Sequence, residues 1–156
     1  MMPTTIAEEL AEHRFFALFP EDLRRRLAEC ANNVVFDTGA ALCTEGTPAK
    51  SFFAIRAGRV NVGVHVPSKG LVSLETLQTG DILGWSWVVP PYVWHFDAVA
   101  VEHVRAVELH ADCLLPYLEE NPAAGYRLMT EVAKIMEERL ESTRIRLLDL
   151  FGDDHG

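Results

Sequence analysis

The sequence predicts a mainly β domain with helices at both ends. Between residues 34 and 110, short stretches that alternate apolar and polar residues are separated by glycine and proline turns, a pattern typical of an antiparallel barrel or two-sheet jelly roll. The stretches on either side have the apolar spacing of amphipathic helices. The chain has 156 residues, of which 49% are hydrophobic, and this predicts a single domain with one core over residues 1–156.

Residues 1–33 are predicted to form N-terminal helices. Residues 6–13 have the pattern of a short amphipathic helix, and the apolar run over residues 15–19 is expected to pack it onto the body of the domain. Pro20 suits the first position of a second helix. We expect that helix to end near Asn32 and Asn33, after which the apolar period changes from helical to two.

Residues 34–110 are predicted to be extended. The clearest strand is Val60–Val66, where a valine occupies every second position. Residues 67–70 then have the composition of a hairpin turn. Gly58 and Gly80 stand in other predicted turns, where glycine tolerates a positive φ. Further strands are predicted over residues 34–36, 41–44, 51–55, 71–77, 98–101 and 104–109.

Residues 111–156 are predicted to form a short helix followed by a long dimerisation helix. Asp112 is placed to cap the first, and Asn121 with Pro122 to begin the second, which runs to about Leu150. The long helix carries a heptad seam, which predicts a homodimer. In the alternative, the seam packs within one monomer. The seam consists of Met129, Ala133, Met136, Leu140, Thr143, Leu147 and Leu150.

The charge balance and composition limit the partners and the location. The formal net charge is −9, whereas nucleic-acid binding needs clustered Lys and Arg, so we expect no direct DNA binding. No apolar stretch reaches the roughly 20 residues of a membrane span, so we expect no membrane partner. The acidic N-terminus lacks a signal-peptide pattern, which predicts a cytoplasmic protein. Cys30, Cys43 and Cys113 are far apart without CxxC spacing, so we expect buried free thiols ahead of a metal site or disulfides.

The sequence contains none of the common catalytic or metal-binding motifs. It has no HxH pair, no GxSxG elbow, no phosphate loop and no HExxH. We therefore expect no metal site, no catalytic residues and no enzyme activity. A cupin-like metalloenzyme is the alternative, in which His65 and His95 would meet inside the barrel.

Residues 80–100 hold a dense aromatic cluster around Pro90 and Pro91. A segment of this kind, interrupted by glycine and proline, is more typical of a shaped concave lining than of plain core. We interpret it as a candidate pocket. Its aromatic side chains are Trp85, Trp87, Tyr92, Trp94 and Phe96.

Short glycine motifs occur in a fixed order along the chain. They are FDTG at residues 36–39, EG at 45–46, FAIRAGRV at 53–60 and GDILG at 80–84, and a long helix follows them. The set resembles the cyclic-nucleotide-binding domain of the Crp/Fnr regulators and cyclic-nucleotide-gated proteins over residues 15–150. The resemblance implies an antiparallel β-roll, or double-stranded β-helix, with flanking helices and a last long helix that dimerises in the bacterial regulators.

The resemblance also implies a phosphate-binding cassette after Gly84. In the family a Glu contacts the ribose hydroxyl and an Arg pairs with the cyclic phosphate; here Trp85 takes the Glu position, and Trp94 or His95 takes the Arg position. No Arg or Lys lies between residues 69 and 105. The cassette is therefore degenerate, and we do not expect ordinary cyclic AMP or cyclic GMP as the ligand. The candidate ligand-binding residues are Gly84, Trp85, Ser86, Trp87, Trp94, His95, Phe96 and Asp97.

These observations predict a stand-alone, homodimeric regulatory or sensory module that lacks the DNA-binding part of the bacterial regulators. In one hypothesis, a small-molecule or nucleotide-like ligand stacks on the indoles and shifts the long helix; no other cofactor is assigned. In the alternative, the tryptophans fill the pocket themselves, and the chain is an interaction scaffold for a protein partner.

Overall fold

The computed structural model describes residues 5–153, in which eight strands form two four-stranded antiparallel sheets. One sheet has the strand order β1-β8-β3-β6 and the other β2-β7-β4-β5. This is the β-roll expected from the sequence, and we call β1 to β8 the roll. The strands are β1 (Ala31–Phe36), β2 (Ala41–Cys43), β3 (Ser51–Ala57), β4 (Val60–Val66), β5 (Gly70–Leu77), β6 (Ile82–Leu83), β7 (Asp97–Ala100) and β8 (Val104–His110).

Two short helices precede the roll, as predicted, but the boundaries of the second differ. Helix α1 (Ile6–Glu12) is capped by the Thr5 side chain, which accepts a hydrogen bond from the Glu8 amide. Helix α2 (Glu21–Glu29) has Pro20 at its N-cap, just before the predicted first helical position. It also ends earlier than predicted, because Asn32 and Asn33 already belong to β1.

The early start of β1 is explained by its pairing with β8. Asn32 lies opposite Glu108, and Asn33 lies opposite Val107. Asparagine is depleted in strands, but the hydrogen-bonded ladder to a partner strand overrides that weak preference. The prediction that these two residues end a helix is therefore wrong.

The remaining predicted strands are all present, and one short strand had not been predicted. Strand β6 has only two residues, too few to show alternation in the sequence. Gly58 and Gly80, and Gly70 at the end of the predicted hairpin turn, all have positive φ. Gly58 is the most constrained, because a Cβ atom there would lie 2.2 Å from the His103 carbonyl oxygen.

The main core of the roll is a cluster of aliphatic and aromatic side chains. Buried residues of seven of the eight strands contribute to it, among them Phe53, Val60, Leu83 and Val104. The first five residues of β3 are all buried. A strand that is buried on both faces needs side chains packed against each face. The side chain that covers the outer face of β3 comes from the candidate site.

The chain forms two compact units that divide after Tyr117. Helix α3 (Ala111–Glu120) begins one residue before Asp112, so Asp112 lies in its first turn and is not its cap, contrary to prediction. Helix α4 (Pro122–Asp153) has 32 residues and is about 48 Å long at ~1.5 Å per residue. Within residues 5–153 no helix combines the length and apolar character that crossing a membrane requires.

The expectation of three free thiols is wrong for two of them. Cys30 and Cys113 form a disulfide across 83 residues of sequence, and Cys43 is a buried free thiol. The spacing of the cysteines gave no sign of this bond, because only the β1–β8 pairing brings the two ends of the roll together.

Candidate functional site

Residues 84–96, which we call the aromatic segment, connect β6 to β7. Two backbone hydrogen bonds fasten its far end to the turn after β2. The Trp94 amide donates to the Thr47 carbonyl over 2.9 Å, and the Gly46 amide donates to the Trp94 carbonyl over 2.8 Å. The backbone around Trp94 is therefore fixed by the roll, and its side chain direction is set with it.

Trp94 points inward and lies against Gly84. Its side chain is 5% exposed and belongs to the same core cluster as Leu83 and Phe53. Gly84 has φ +105°, and a Cβ atom there would lie 2.6 Å from Cη2 of Trp94. Glycine is required at this position both for its backbone conformation and because the indole takes the space of a side chain.

Trp87 is buried on the outer face of β3. Its ring stacks on Phe52, with centroids 5.0 Å apart and an interplanar angle of 18°, and it is 1% exposed. The neighbouring Ser86 is also buried. Among the described residues, the indole nitrogen of Trp87 has no hydrogen-bond partner. Trp87 thus covers the outer face of β3.

Trp85 and Phe96 form the open edge of the aromatic segment. Both are partly buried. Their ring centroids are 6.4 Å apart in an edge-to-face contact, and Phe96 makes a second such contact with Trp94 at 5.8 Å. The rings of Trp94, Phe96 and Trp85 therefore contact one another in that order, from the buried core to the partly exposed edge.

The strand period of β7 extends back into the aromatic segment. Trp94, Ala98 and Ala100 are buried, whereas His95 between them is exposed. Of the two residues that the sequence placed at the family's Arg position, Trp94 is the one that faces the interior. The signal was present in the sequence, because counting back by twos from the apolar Ala98 reaches Trp94.

Asp97 has a structural partner of its own. Its Oδ1 accepts a hydrogen bond of 2.7 Å from the Glu45 amide, and so caps the turn after β2. Burial, with a smaller contribution from the Asp97 charge, raises the pKa of the nearby Cys43 thiol to about 12. Cys43 is therefore a neutral core residue at physiological pH.

Sequence reasoning missed Phe52 and Cys43 as neighbours of the aromatic segment. Phe52 stacks on Trp87, and the Cys43 thiol lies 3.7 Å from the Phe96 carbonyl oxygen. The consecutive Phe52 and Phe53 were a usable signal, since adjacent strand residues point to opposite faces and two large rings require a cover on each.

The N-terminal region is attached to the loop that leads into β6. The Arg14 guanidinium donates to the Gly80 carbonyl over 2.7 Å and also pairs with the Asp81 carboxylate. On the same side, Arg56 pairs with the buried Glu9 at 3.0 Å. His13 lies between Glu9 and Arg14 in the sequence and is buried. Its Nδ1 accepts a hydrogen bond from the Phe15 amide. Burial lowers the pKa of His13 to about 4.

The predicted seam on α4 is largely exposed in the single chain. Met136 is 39% exposed, Leu140 53% and Leu147 54%. Ala133 and Thr143 are also exposed, and Met129 is partly buried. A second apolar flank of α4 consists of Leu128, Val132, Ile135, Ile145 and Leu148; of these, Leu128 and Val132 are buried. Ile145 and Leu148 of the same flank are 52% and 70% exposed, so beyond about residue 136 both flanks of the helix are exposed, the heptad seam among them.

No group of three or more His, Cys, Asp or Glu side chains in residues 5–153 is arranged to hold a metal ion. His65 and His95 are both exposed.

A family model for the cyclic nucleotide-binding domain matches residues 33–121. The chain belongs to this family. The match runs from β1 to the end of α3, so it includes the aromatic segment. The cyclic nucleotide-binding domain here therefore has tryptophans, and no Arg or Lys, in the part of the chain where the family's cassette is expected.

Solved structures share the fold of this cyclic nucleotide-binding domain. A protein from Geobacter metallireducens GS-15 assigned to the cyclic nucleotide-binding proteins is 27% identical, with a TM-score of 0.78, over 89% of this chain and 99% of that one. The sensor domain of the transcriptional regulator DNR from Pseudomonas aeruginosa is 18% identical, with a TM-score of 0.69, over 86% of this chain and 90% of that one.

One curated relative is much longer than this cyclic nucleotide-binding domain. Glutaminase 1 of Bradyrhizobium diazoefficiens is 25% identical over an alignment of 143 residues that covers 85% of this chain and 21% of the glutaminase. The chain thus spans about a fifth of the length of that relative.

Proposed function

We propose that the chain is a homodimeric regulatory module of the cyclic nucleotide-binding type that acts through protein contacts and does not bind cyclic AMP or cyclic GMP. The observation that carries this proposal is the position of Trp94, whose buried indole lies against Gly84 where the cassette is expected. The cassette is filled by the protein's own side chain. The cytoplasmic location and the organisation as one domain stay predictions.

The electrostatics of the aromatic segment support the exclusion of a cyclic phosphate. A desolvated phosphate needs charge-assisted donors, for which the forked Arg side chain is best suited. No Arg or Lys lies between residues 69 and 105. Loss of such a contact costs ~1.5 to 3 kcal/mol, or tenfold or more in affinity. Exposed His95 is directed away from the interior and does not replace it.

Thermal unfolding in the presence of nucleotides tests the proposal. A ligand with a Kd of about 10 μM, added at about 1 mM, stabilises the folded state by ~2.7 kcal/mol, which raises the Tm of a domain this size by roughly 5–10 °C. We expect no such shift with cyclic AMP or cyclic GMP. A shift of several degrees with either, and a matching heat of binding by calorimetry, would refute the proposal.

The homodimer is the second part of the proposal, and the exposed seam on α4 supports it. Leu140 and Leu147 are each more than half exposed in the single chain, although they repeat at heptad spacing. Burying such side chains against a second copy stabilises the pair by the hydrophobic effect. Sedimentation of the full chain measures the oligomeric state, and a purely monomeric protein at tens of micromolar would contradict this part.

The length of the glutaminase supports the proposed mode of action. In that protein, a stretch similar to this chain lies in a polypeptide about five times as long. We propose that this chain, likewise, acts on a larger protein, reached by contact rather than through DNA. The acidic surface implied by the net charge of −9 favours a partner with a basic face.

A sensor of a flat, uncharged ligand is the second candidate function, and the Trp85–Phe96 edge favours it. Both rings are only partly buried, and their exposed edges offer an apolar surface on which a planar molecule would stack. Quenching of tryptophan fluorescence by uncharged nucleosides, lost in Trp85→Ala and retained in His95→Ala, would support this candidate over the first. Absence of quenching in the wild-type protein would exclude nucleosides as its ligand.

A further inference from the structure

The Cys30–Cys113 disulfide joins the two ends of the roll. Cys30 is the C-cap of α2, immediately before β1, and Cys113 lies in the first turn of α3, immediately after β8. The bond therefore ties α3 to α2 at the point where the chain leaves the roll. Only Asn121 separates α3 from α4.

The two cysteine residues differ in exposure. Cys30 is 2% exposed, whereas Cys113 is only partly buried. Thiol–disulfide exchange proceeds by attack of a thiolate on an accessible sulfur, so we expect a reductant to reach the bond at Cys113, the less buried residue. Cys43 does not compete in this exchange, because it is buried and its pKa of about 12 keeps it protonated.

The roll does not depend on this bond for its strand pairing. Strands β1 and β8 are paired over six residues, from Ala31 opposite Leu109 to Phe36 opposite Val104. The His110 amide donates to the Cys30 carbonyl, and the Ala111 amide to the Lys50 carbonyl, both over 2.9 Å. These bonds hold the chain up to the start of α3 in either redox state.

Non-covalent contacts also hold α3 itself. The Arg26 guanidinium lies 5.3 Å from the centroid of the Tyr117 ring, a cation–π contact between two partly buried residues, and Leu114 is fully buried. Opening the disulfide would remove the covalent tie in the first turn and leave these non-covalent contacts. Its effect is expected to fall on α3 and to spare the sheets.

We propose that Cys30–Cys113 is a reversible redox clasp that fixes α3 when oxidised and loosens it when reduced. Disulfides that form in a reducing compartment are usually transient and regulatory, so the proposal joins this bond to the predicted cytoplasmic location. The reductant is a dithiol. Its thiolate attacks Sγ of Cys113, forms a mixed disulfide and releases Cys30, which takes up a proton. The second thiol of the reductant then displaces Cys113, and the dithiol leaves as a disulfide, having supplied two electrons and two protons.

The clasp goes beyond the proposed function, since it needs neither a ligand nor a dimer. Hydrogen exchange followed by mass spectrometry measures it on the full chain, oxidised or reduced with dithiothreitol. We expect amides of α3 to exchange about tenfold faster or more in the reduced protein, and amides of β3 and β8 to keep their protection. The rates should return when the protein is reoxidised.

Two variants complete the test. The double variant Cys30→Ser/Cys113→Ser should behave as reduced protein under all conditions, and Cys43→Ala should respond like the wild type. Equal protection of α3 in both states, or loss of protection throughout the roll on reduction, would overturn the clasp in favour of an inert or purely structural bond.

The redox state in cells gives an independent result. Acid quenching followed by alkylation of the free thiols should show the pair partly reduced and shifted towards the disulfide by a mild thiol oxidant. Thiols that stay entirely free, or a bond that stays entirely closed, whatever the treatment, would also overturn the proposal.

Discussion

The indole of Trp94 occupies the space in which Gly84 would carry a side chain: a Cβ atom there would lie 2.6 Å from Cη2 and 2.8 Å from Cζ3. Each residue therefore depends on the other. A side chain at residue 84 would overlap the ring, and the ring can approach the backbone of Gly84 this closely because the glycine has none. In the proposed function, this packing occupies the position at which the family's cassette would bind a nucleotide.

The first prediction concerns this packing. Gly84→Ala should destabilise the protein by about 1 to 3 kcal/mol for backbone strain, and by a further ~1 to 3 kcal/mol because the methyl group displaces the indole. Gly39→Ala is the matched control, since Gly39 has φ +91° and no atom within 4 Å of the added Cβ. Urea unfolding measures both. Equal losses for the two variants would show that Trp94 is not held against Gly84.

The second prediction concerns which of Trp94 and His95 occupies the family's Arg position and points into the interior. In a Trp85→Glu background, Trp94→Arg should gain affinity for cyclic AMP by about tenfold or more through a charge-assisted pair, whereas His95→Arg should gain none, because residue 95 is exposed. Calorimetry measures the affinities, and circular dichroism checks that each variant is folded.

Trp94→Gln in the same background is the control for removal of the indole alone. A gain in the His95→Arg variant, or equal gains in the Arg and Gln variants at residue 94, would contradict the assignment.

The third prediction concerns the seam on α4. Leu140 and Ile145 are equally exposed, at 53% and 52%, but only Leu140 belongs to the heptad series. Leu140→Glu should weaken the dimer by ~3 kcal/mol or more, because it buries an unpaired charge in the interface, and Ile145→Glu should leave it intact. Sedimentation equilibrium measures the difference. Equal effects of the two substitutions would point to a different interface.

The fourth prediction is an acid sensitivity that originates at His13. Burial lowers its folded pKa to about 4, whereas the unfolded chain takes up a proton near pH ~6.5. The folded state therefore binds fewer protons, so stability falls as the pH drops from about 6.5 towards 4. The loss between pH ~7.5 and ~5 is about 2 kcal/mol from this residue.

Urea midpoints at the two pH values measure that loss. His13→Gln should flatten the dependence on pH even if it lowers stability overall, whereas replacement of the exposed His65 by Gln should not change it. A wild-type pH dependence that persists in His13→Gln would assign the effect to other groups.

The sequence was informative wherever a period or a turn residue was repeated. Strand β4 was predicted from its alternating valines, and the long helix from its cap at Asn121 and its heptads; both are confirmed. The end of α2 was misplaced because Asn32 and Asn33 have little intrinsic preference for a strand. They are part of β1 only because they pair with β8. Non-local pairing of this kind leaves no local pattern.

The aromatic segment shows the same limit at the level of the site. Its position was clear from composition, and counting back by twos from Ala98 reaches Trp94, but turns and the Pro90–Pro91 pair interrupt the alternation before that point, so the burial of Trp87 could not be assigned. The structure directs Trp94 and Trp87 into two different parts of the interior, one beside Gly84 and one on Phe52. The disulfide was missed for a related reason, because nothing local connects two cysteines 83 residues apart.

The pairing of Ala31 with Leu109 has a topological consequence. The chain enters the roll on β1 and leaves it on the neighbouring strand β8, so the two ends of the roll lie side by side. Domains whose ends lie close together tolerate circular permutation and insertion into other polypeptides. A circular permutant with a short linker from Leu109 to Ala31 and new ends in the exposed hairpin between β4 and β5 should keep both sheets intact. For the same reason, a longer chain could carry the roll as an inserted domain without a change in its interior.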